Sequence, residues 1–220
     1  MNARRTFLSA LALASGLILS PRRGLAAKPS PAPAVIPPLP VSIAVAEDQG
    51  RPVQDTAWIE AQMAEAKRLF EPLGIRLRTV STRTLAPGHA RLETRSDRDA
   101  LVAALTPKQI NVMIVASLRD VDDPSLHRMG VHWRNRKTPS RHYVIVAASA
   151  MPSVLAHELG HYFGLGHSDV VNNLMSYSRT AGQVFLDGAQ EARILSMARL
   201  YVSTKLLAPV PDTPPPADPA

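Results

Sequence analysis

The chain has 220 residues, 45% of them apolar and 5% aromatic, enough for one ordinary domain with an aliphatic core, which excludes a disordered chain. There is no cysteine, which excludes disulfide staples, thiol catalysis and Cys-ligated zinc, so metal ligands must be His, Asp, Glu or Tyr. The net charge of +7 owes much to Arg4, Arg5, Arg22 and Arg23; the remainder is mildly basic, without an arginine-rich run, which argues against nucleic acid as a partner.

Residues 1–27 have the parts of an export signal: a basic start, an apolar stretch over residues 7–19 and a small-residue exit at Gly24, Leu25, Ala26 and Ala27. The stretch is shorter than the roughly 17 residues a membrane-spanning helix needs, so cleavage is expected and no stable membrane anchor remains. Arg4-Arg5-Thr6-Phe7-Leu8 resembles the twin-arginine signal of bacterial export, which implies a periplasmic or extracellular destination. An ordinary secretory signal with two arginines is the other reading. Proline then marks the domain edges. Residues 28–40 read as a stiff Pro-rich linker and residues 208–220 as a Pro-rich disordered tail, leaving residues 41–207 as the folded domain.

Within the domain, residues 41–46 form an apolar run typical of a buried strand. Asp55 can cap a helix in which Trp58, Ile59, Met63, Ala66, Leu69 and Phe70 recur at three- and four-residue spacing, ended by Pro72 and Gly74. Residues 75–80 alternate as a strand and residues 96–105 suit a short helix. Residues 110–115 and 143–146 are apolar and β-branched, as interior strands are, whereas residues 130–134 alternate weakly, as an exposed edge strand does. Asp187 can cap a last helix that runs towards Leu200 and Tyr201.

The chemistry is concentrated in one eleven-residue run. His157 and His161 are four residues apart, so a helix over residues 151–163 stacks two imidazoles on one face beside Glu158. Gly164 and Gly166 can supply positive φ, ending the helix and returning His167 to the same point. Three neutral imidazoles leave one position of a tetrahedral Zn²⁺ open for water, as a catalytic site requires. Five fixed residues at this spacing arise by chance on the order of once in ten thousand chains of this length.

The pattern HExxHxxGxxH, met at every specified position, resembles the metzincin zinc peptidases. Met175, eight residues after His167, matches the methionine turn of the matrixin-like branch, as does Ser168 after the third histidine. The resemblance implies a single α+β domain: a twisted, mostly parallel sheet with an antiparallel edge strand, an active-site helix and a C-terminal helix. It implies a zinc metalloendopeptidase with Zn²⁺ on His157, His161 and His167, Glu158 as general base and Met175 as an apolar floor. Tyr177, two positions beyond the methionine, resembles the tyrosine that astacins and serralysins place at the metal, with packing below the site as the other reading. His127, His132 and His142, with Asp120, Asp122 and Asp123, fall where matrixins hold structural zinc and calcium, but the spacing is not reproduced, so solvated loop residues are expected. A peptide or protein substrate is the expected partner, with the chain acting as a monomer. The alternatives are a metzincin-fold zinc-binding module that recognises protein or cell-wall peptides without cutting, and hydrolysis of a non-protein amide.

Overall fold

The computed structural model describes residues 35–136, 138–180 and 182–211. The expected leader at residues 1–27, the linker up to residue 34 and the tail beyond Pro211 lie outside the described residues. Among those described, no helix is long and apolar enough to cross a membrane.

In chain order the main elements are β1 (Leu39–Val45), α1 (Thr56–Phe70), β2 (Leu77–Thr84), α2 (Arg95–Ala100), β3 (Ile110–Val115), β4 (Gly130–Arg134), β5 (His142–Ala147), α3 (Ser153–Tyr162) and α4 (Gly188–Ser203). Five of them form one sheet in the order β2-β1-β3-β5-β4, in which the first four strands are parallel and β4 runs antiparallel along β5. The fold is the α+β arrangement expected, with residues 130–134 at an edge. Every residue of β1, β3 and β5 is buried because both sheet faces are covered. Val41, Ile43, Val112, Ile114, Val144 and Val146 point to the face packed by α1 and α3, whereas Ala44, Met113, Val115, Tyr143 and Ile145 point to the face covered by Leu92, Leu101 and Leu118.

α1 starts where Asp55 accepts the Trp58 amide at 2.8 Å, and it ends in a 3₁₀ turn, Glu71–Leu73, closed by Gly74 at φ 79. Three boundaries differ from expectation. β1 begins two residues early and takes in Pro40, because Leu39 pairs with Leu77 and is fully buried. β2 extends to Thr84 although its outer half is polar, since it pairs with β1 as far as Val45 and has no second strand beside it. The helix expected over residues 96–105 is split, α2 giving way to a 3₁₀ turn, Leu101–Ala104, after a Thr94–Asp97 capping box. Past Leu207 the chain stays attached: the Ala208 amide donates to the Lys108 carbonyl at 2.9 Å and the Val210 amide to that of Pro38 at 3.1 Å.

Candidate metal centre and cleft

α3 is buried along almost its whole length, and its own capping is incomplete. Pro152 at its start offers no side-chain cap. Instead Gln62 of α1, itself buried, accepts the Leu155 amide at 3.1 Å through Oε1 and donates through Nε2 to the carbonyls of Ala150 and Met151 at 3.3 and 3.0 Å. The C-terminus is a Schellman turn: Leu165 donates to the Gly160 carbonyl and Gly164, at φ 84, to that of His161, both at 3.0 Å. That turn reverses the chain and carries His167 back towards α3. Gly166 does not have positive φ, so the reversal rests on Gly164 alone.

His157, His161 and His167 converge with ligand atoms within 4.8 Å of one another, the only such group of three among the described residues. His157 Nδ1 lies 2.7 Å from the Leu174 carbonyl and His161 Nδ1 2.9 Å from that of Leu165. A carbonyl oxygen only accepts, so each Nδ1 carries the proton and each Nε2 presents a lone pair. His161 Nε2 then faces His167 Nε2 at 3.1 Å, a spacing that suits two ligands of one ion at bonds of about 2.0–2.1 Å. Burial lowers the His157 pKa to about 4 against the pull of the Leu174 carbonyl, and burial lowers that of His161 as well, which keeps both rings in the neutral form a metal needs. The donor set therefore fits Zn²⁺.

Glu158 is buried beside His157, and burial raises its pKa to about 7 against the His132 backbone amide and the Arg128 charge, which act to lower it. Tyr177 is 71% exposed and its hydroxyl lies 2.7 Å from His167 Nε2. These groups line a cleft of about 820 Å³ whose far wall is β4. Residues 87–193, which include all of them, match the family profile of the matrixins. The fold is similar to metalloproteinase-II from Bacteroides fragilis, with TM-score 0.55 and 19% identity over 81% of this chain and 58% of that one. It is also similar to archaemetzincin from Methanopyrus kandleri, with TM-score 0.50 and 16% identity over 74% and 96%. Mirolysin in complex with compound 9 gives TM-score 0.57 and 11% identity over 80% and 100%. The chain has the fold of these metalloproteinases. It spans 58% of the length of the Bacteroides protein, and no curated protein matches its sequence.

Met175 is fully buried and lies under α3, where the place of a Cβ on Gly160 is 2.5 Å from its Sδ. The turn that holds it is clamped by α4: Asn173 accepts the Met175 amide at 2.9 Å and exchanges two hydrogen bonds with Gln190, at 2.8 and 3.0 Å. Gln190 is also the third residue of the α4 capping box, so the helix start and the methionine turn share one polar cluster.

His132 and His142 are not the solvated loop residues expected. They lie on β4 and β5 with rings 5.0 Å apart and His132 Nε2 at 2.7 Å from His142 Nδ1, and His142 stacks on Tyr162 at 4.1 Å. Antiparallel pairing brings positions ten apart together, which spacing read for loop ligands does not show. Burial lowers the His132 pKa far below its usual value and, with Arg134 nearby, that of His142 to about 4. Asp120 spends its oxygens on the Asp122 and Asp123 amides and on Arg128, and His127 is exposed on a neighbouring loop. Sequence reasoning also missed Gly130. A Cβ there would lie 2.7 Å from Val154 Cγ1, 2.8 Å from Glu158 Cγ and 2.9 Å from Glu158 Oε1, so only glycine lets β4 approach the carboxylate this closely.

Proposed function

We propose that the chain is an exported zinc metalloendopeptidase of the matrixin-like branch, cutting extended peptides with Glu158 as general base. The observation that carries the reading is the convergence of three imidazoles, two with their tautomer fixed by backbone carbonyls, on the floor of a cleft walled by a strand edge. His157, His161 and His167 would hold Zn²⁺, which supplies Lewis acidity to the carbonyl under attack and to the attacking water. An extended substrate adds antiparallel to the outer edge of β4, which gains affinity from main-chain hydrogen bonds and makes little demand on sequence. Glu158 takes the proton from the water and passes it to the leaving amine. The Tyr177 hydroxyl donates to the carbonyl oxygen as that atom gains charge, and Met175 keeps the floor apolar. The twin-arginine-like leader supports export to the periplasm or beyond, and the substrate is a peptide or protein met by a monomer.

The test is cleavage of a mixed quenched-fluorescent peptide library by zinc-loaded protein lacking residues 1–27, beside Glu158→Ala at equal metal content. Cleavage that a chelator abolishes and that Glu158→Ala reduces by about a hundredfold or more is expected. If each protein binds one zinc and neither cuts, the non-catalytic binding module replaces the peptidase.

A further inference from the structure

The cleft wall formed by Ser176 and Tyr177 continues into a cation that the chemistry above does not use. Arg179 lines the cleft two residues beyond Tyr177. Its Nη2 donates at 3.0 Å to the Leu174 carbonyl, the same oxygen that receives His157 Nδ1–H at 2.7 Å. One oxygen atom thus bridges the guanidinium to a metal-ligand ring, which puts the cation beside the place where the bond is cut. Its Nη1 is buried and has no hydrogen-bond acceptor.

Two other cations of the cleft are paired with carboxylates, Arg134 hydrogen-bonds Tyr201, and Arg98, whose Nε is also without a partner, sits on a carbonyl and an aromatic face. Arg128 pairs with Asp120 and Arg95 with Asp122, while Arg98 donates to the Arg119 carbonyl and lies 4.9 Å over the Trp133 ring. Arg179 has neither a carboxylate nor a ring face beside it: among the described residues no carboxylate is within ion-pair distance of it. Glu65 of α1 acts on it only through space, and both Glu65 oxygens are taken by Arg68 at 2.7 and 2.8 Å. A half-buried guanidinium with an unpaired edge on a cleft is a site for a planar, two-oxygen acceptor.

We propose that Arg179 selects peptides with an acidic side chain, Asp or Glu, at one of the two residues flanking the scissile bond, whose carboxylate takes the edge of the guanidinium that Leu174 leaves free. This rests on the peptidase reading and adds a substrate class to it. A lysine at the position would keep the charge without the fork, and a neutral residue would lose both.

The experiment has two arms. In the first, zinc-loaded protein cuts a library whose cut sites are mapped by mass spectrometry, and the best peptide is remade with Glu, Gln, Leu and Lys at each flanking position. The expected result is a kcat/KM for Glu over Gln of about tenfold to a hundredfold at one position, the value of a hydrogen-bonded charge. That ratio falls to near one in Arg179→Gln and to an intermediate value in Arg179→Lys. An unchanged ratio in Arg179→Gln, or no acidic preference in the unaltered protein, overturns the proposal and leaves Arg179 as a brace for Leu174. The second arm needs no catalysis: binding of the Glu and Gln members of peptide pairs from the same library is measured by calorimetry on zinc-loaded Glu158→Gln and on the same protein with Arg179→Gln added. Tighter binding of the Glu member only where Arg179 is present supports the proposal even if no peptide is cut. Equal binding, or none of the acidic members, overturns it even if the peptidase reading stands.

Discussion

At the scale of single residues, position 130 is where the least side chain has the most to do. An alanine methyl there would overlap the Glu158 side chain and Val154, so either the carboxylate swings away from the ligands or β4 recedes from α3. Gly130→Ala is expected to lower kcat by about tenfold or more while zinc content stays the same, because the carboxylate proposed as general base is displaced and the imidazoles are not. Steady-state kinetics beside metal analysis checks this, and unchanged kcat would show that the strand yields. The histidines and Glu158 were legible in the sequence because all four lie within eleven positions and their chemistry depends on spacing along one helix and its turn. Gly130 and Arg179 were not, because what matters about them is a contact with an element far away in the chain or a carbonyl aimed by it. The Leu174 oxygen, which orients His157 and holds Arg179, belongs to a backbone group and has no signature in residue type at all.

At the scale of elements, α3 is fixed by what meets it at each end and below. Gly160 in its last turn looks dispensable in the sequence, a tolerated weak helix former. In the fold it is the gap into which Met175 sulfur enters. Gly160→Ala gains helix propensity and loses that space, and the packing term is the larger: a net loss of about 1–3 kcal/mol is expected in chemical denaturation. The loss should shrink when Met175→Ala is combined with it, a coupling that a double-mutant cycle measures. The elements themselves could be read well where burial is two-sided. β3 and β5 are continuous apolar runs, and Asp55 and Asp187 cap the helices they were expected to cap. The outer half of β2 could not be read, because an edge strand with polar faces carries no alternation, and its pairing comes from β1. Nor could the start of α3, whose cap comes from another helix.

At the scale of the whole molecule, the layer between sheet and helices carries a titration. His142 is buried and His132 half-buried among Tyr162, Tyr201 and the charge of Arg134, and both pKa values are lowered below the 6.5 of a free imidazole. The unfolded chain therefore binds more protons than the folded one below that value. The pair's contribution to stability is whole above about pH 6.5 and is lost as pH falls towards 4, so denaturation midpoints should hold between pH 7.5 and 6.5 and fall from there to pH 4.5. His142→Phe, which keeps an aromatic ring against Tyr162 and removes a titrating group, should flatten that slope. The helix α3, meanwhile, borrows its beginning. Gln62 sits 93 residues before Leu155 and supplies the hydrogen bond that α3 cannot make for itself. In the time course of folding, this means the imidazoles cannot be held in place as soon as their own segment coils. They must wait for the first helix of the domain to arrive, so the ability to capture an ion is acquired late, as a property of the assembled chain and not of the motif.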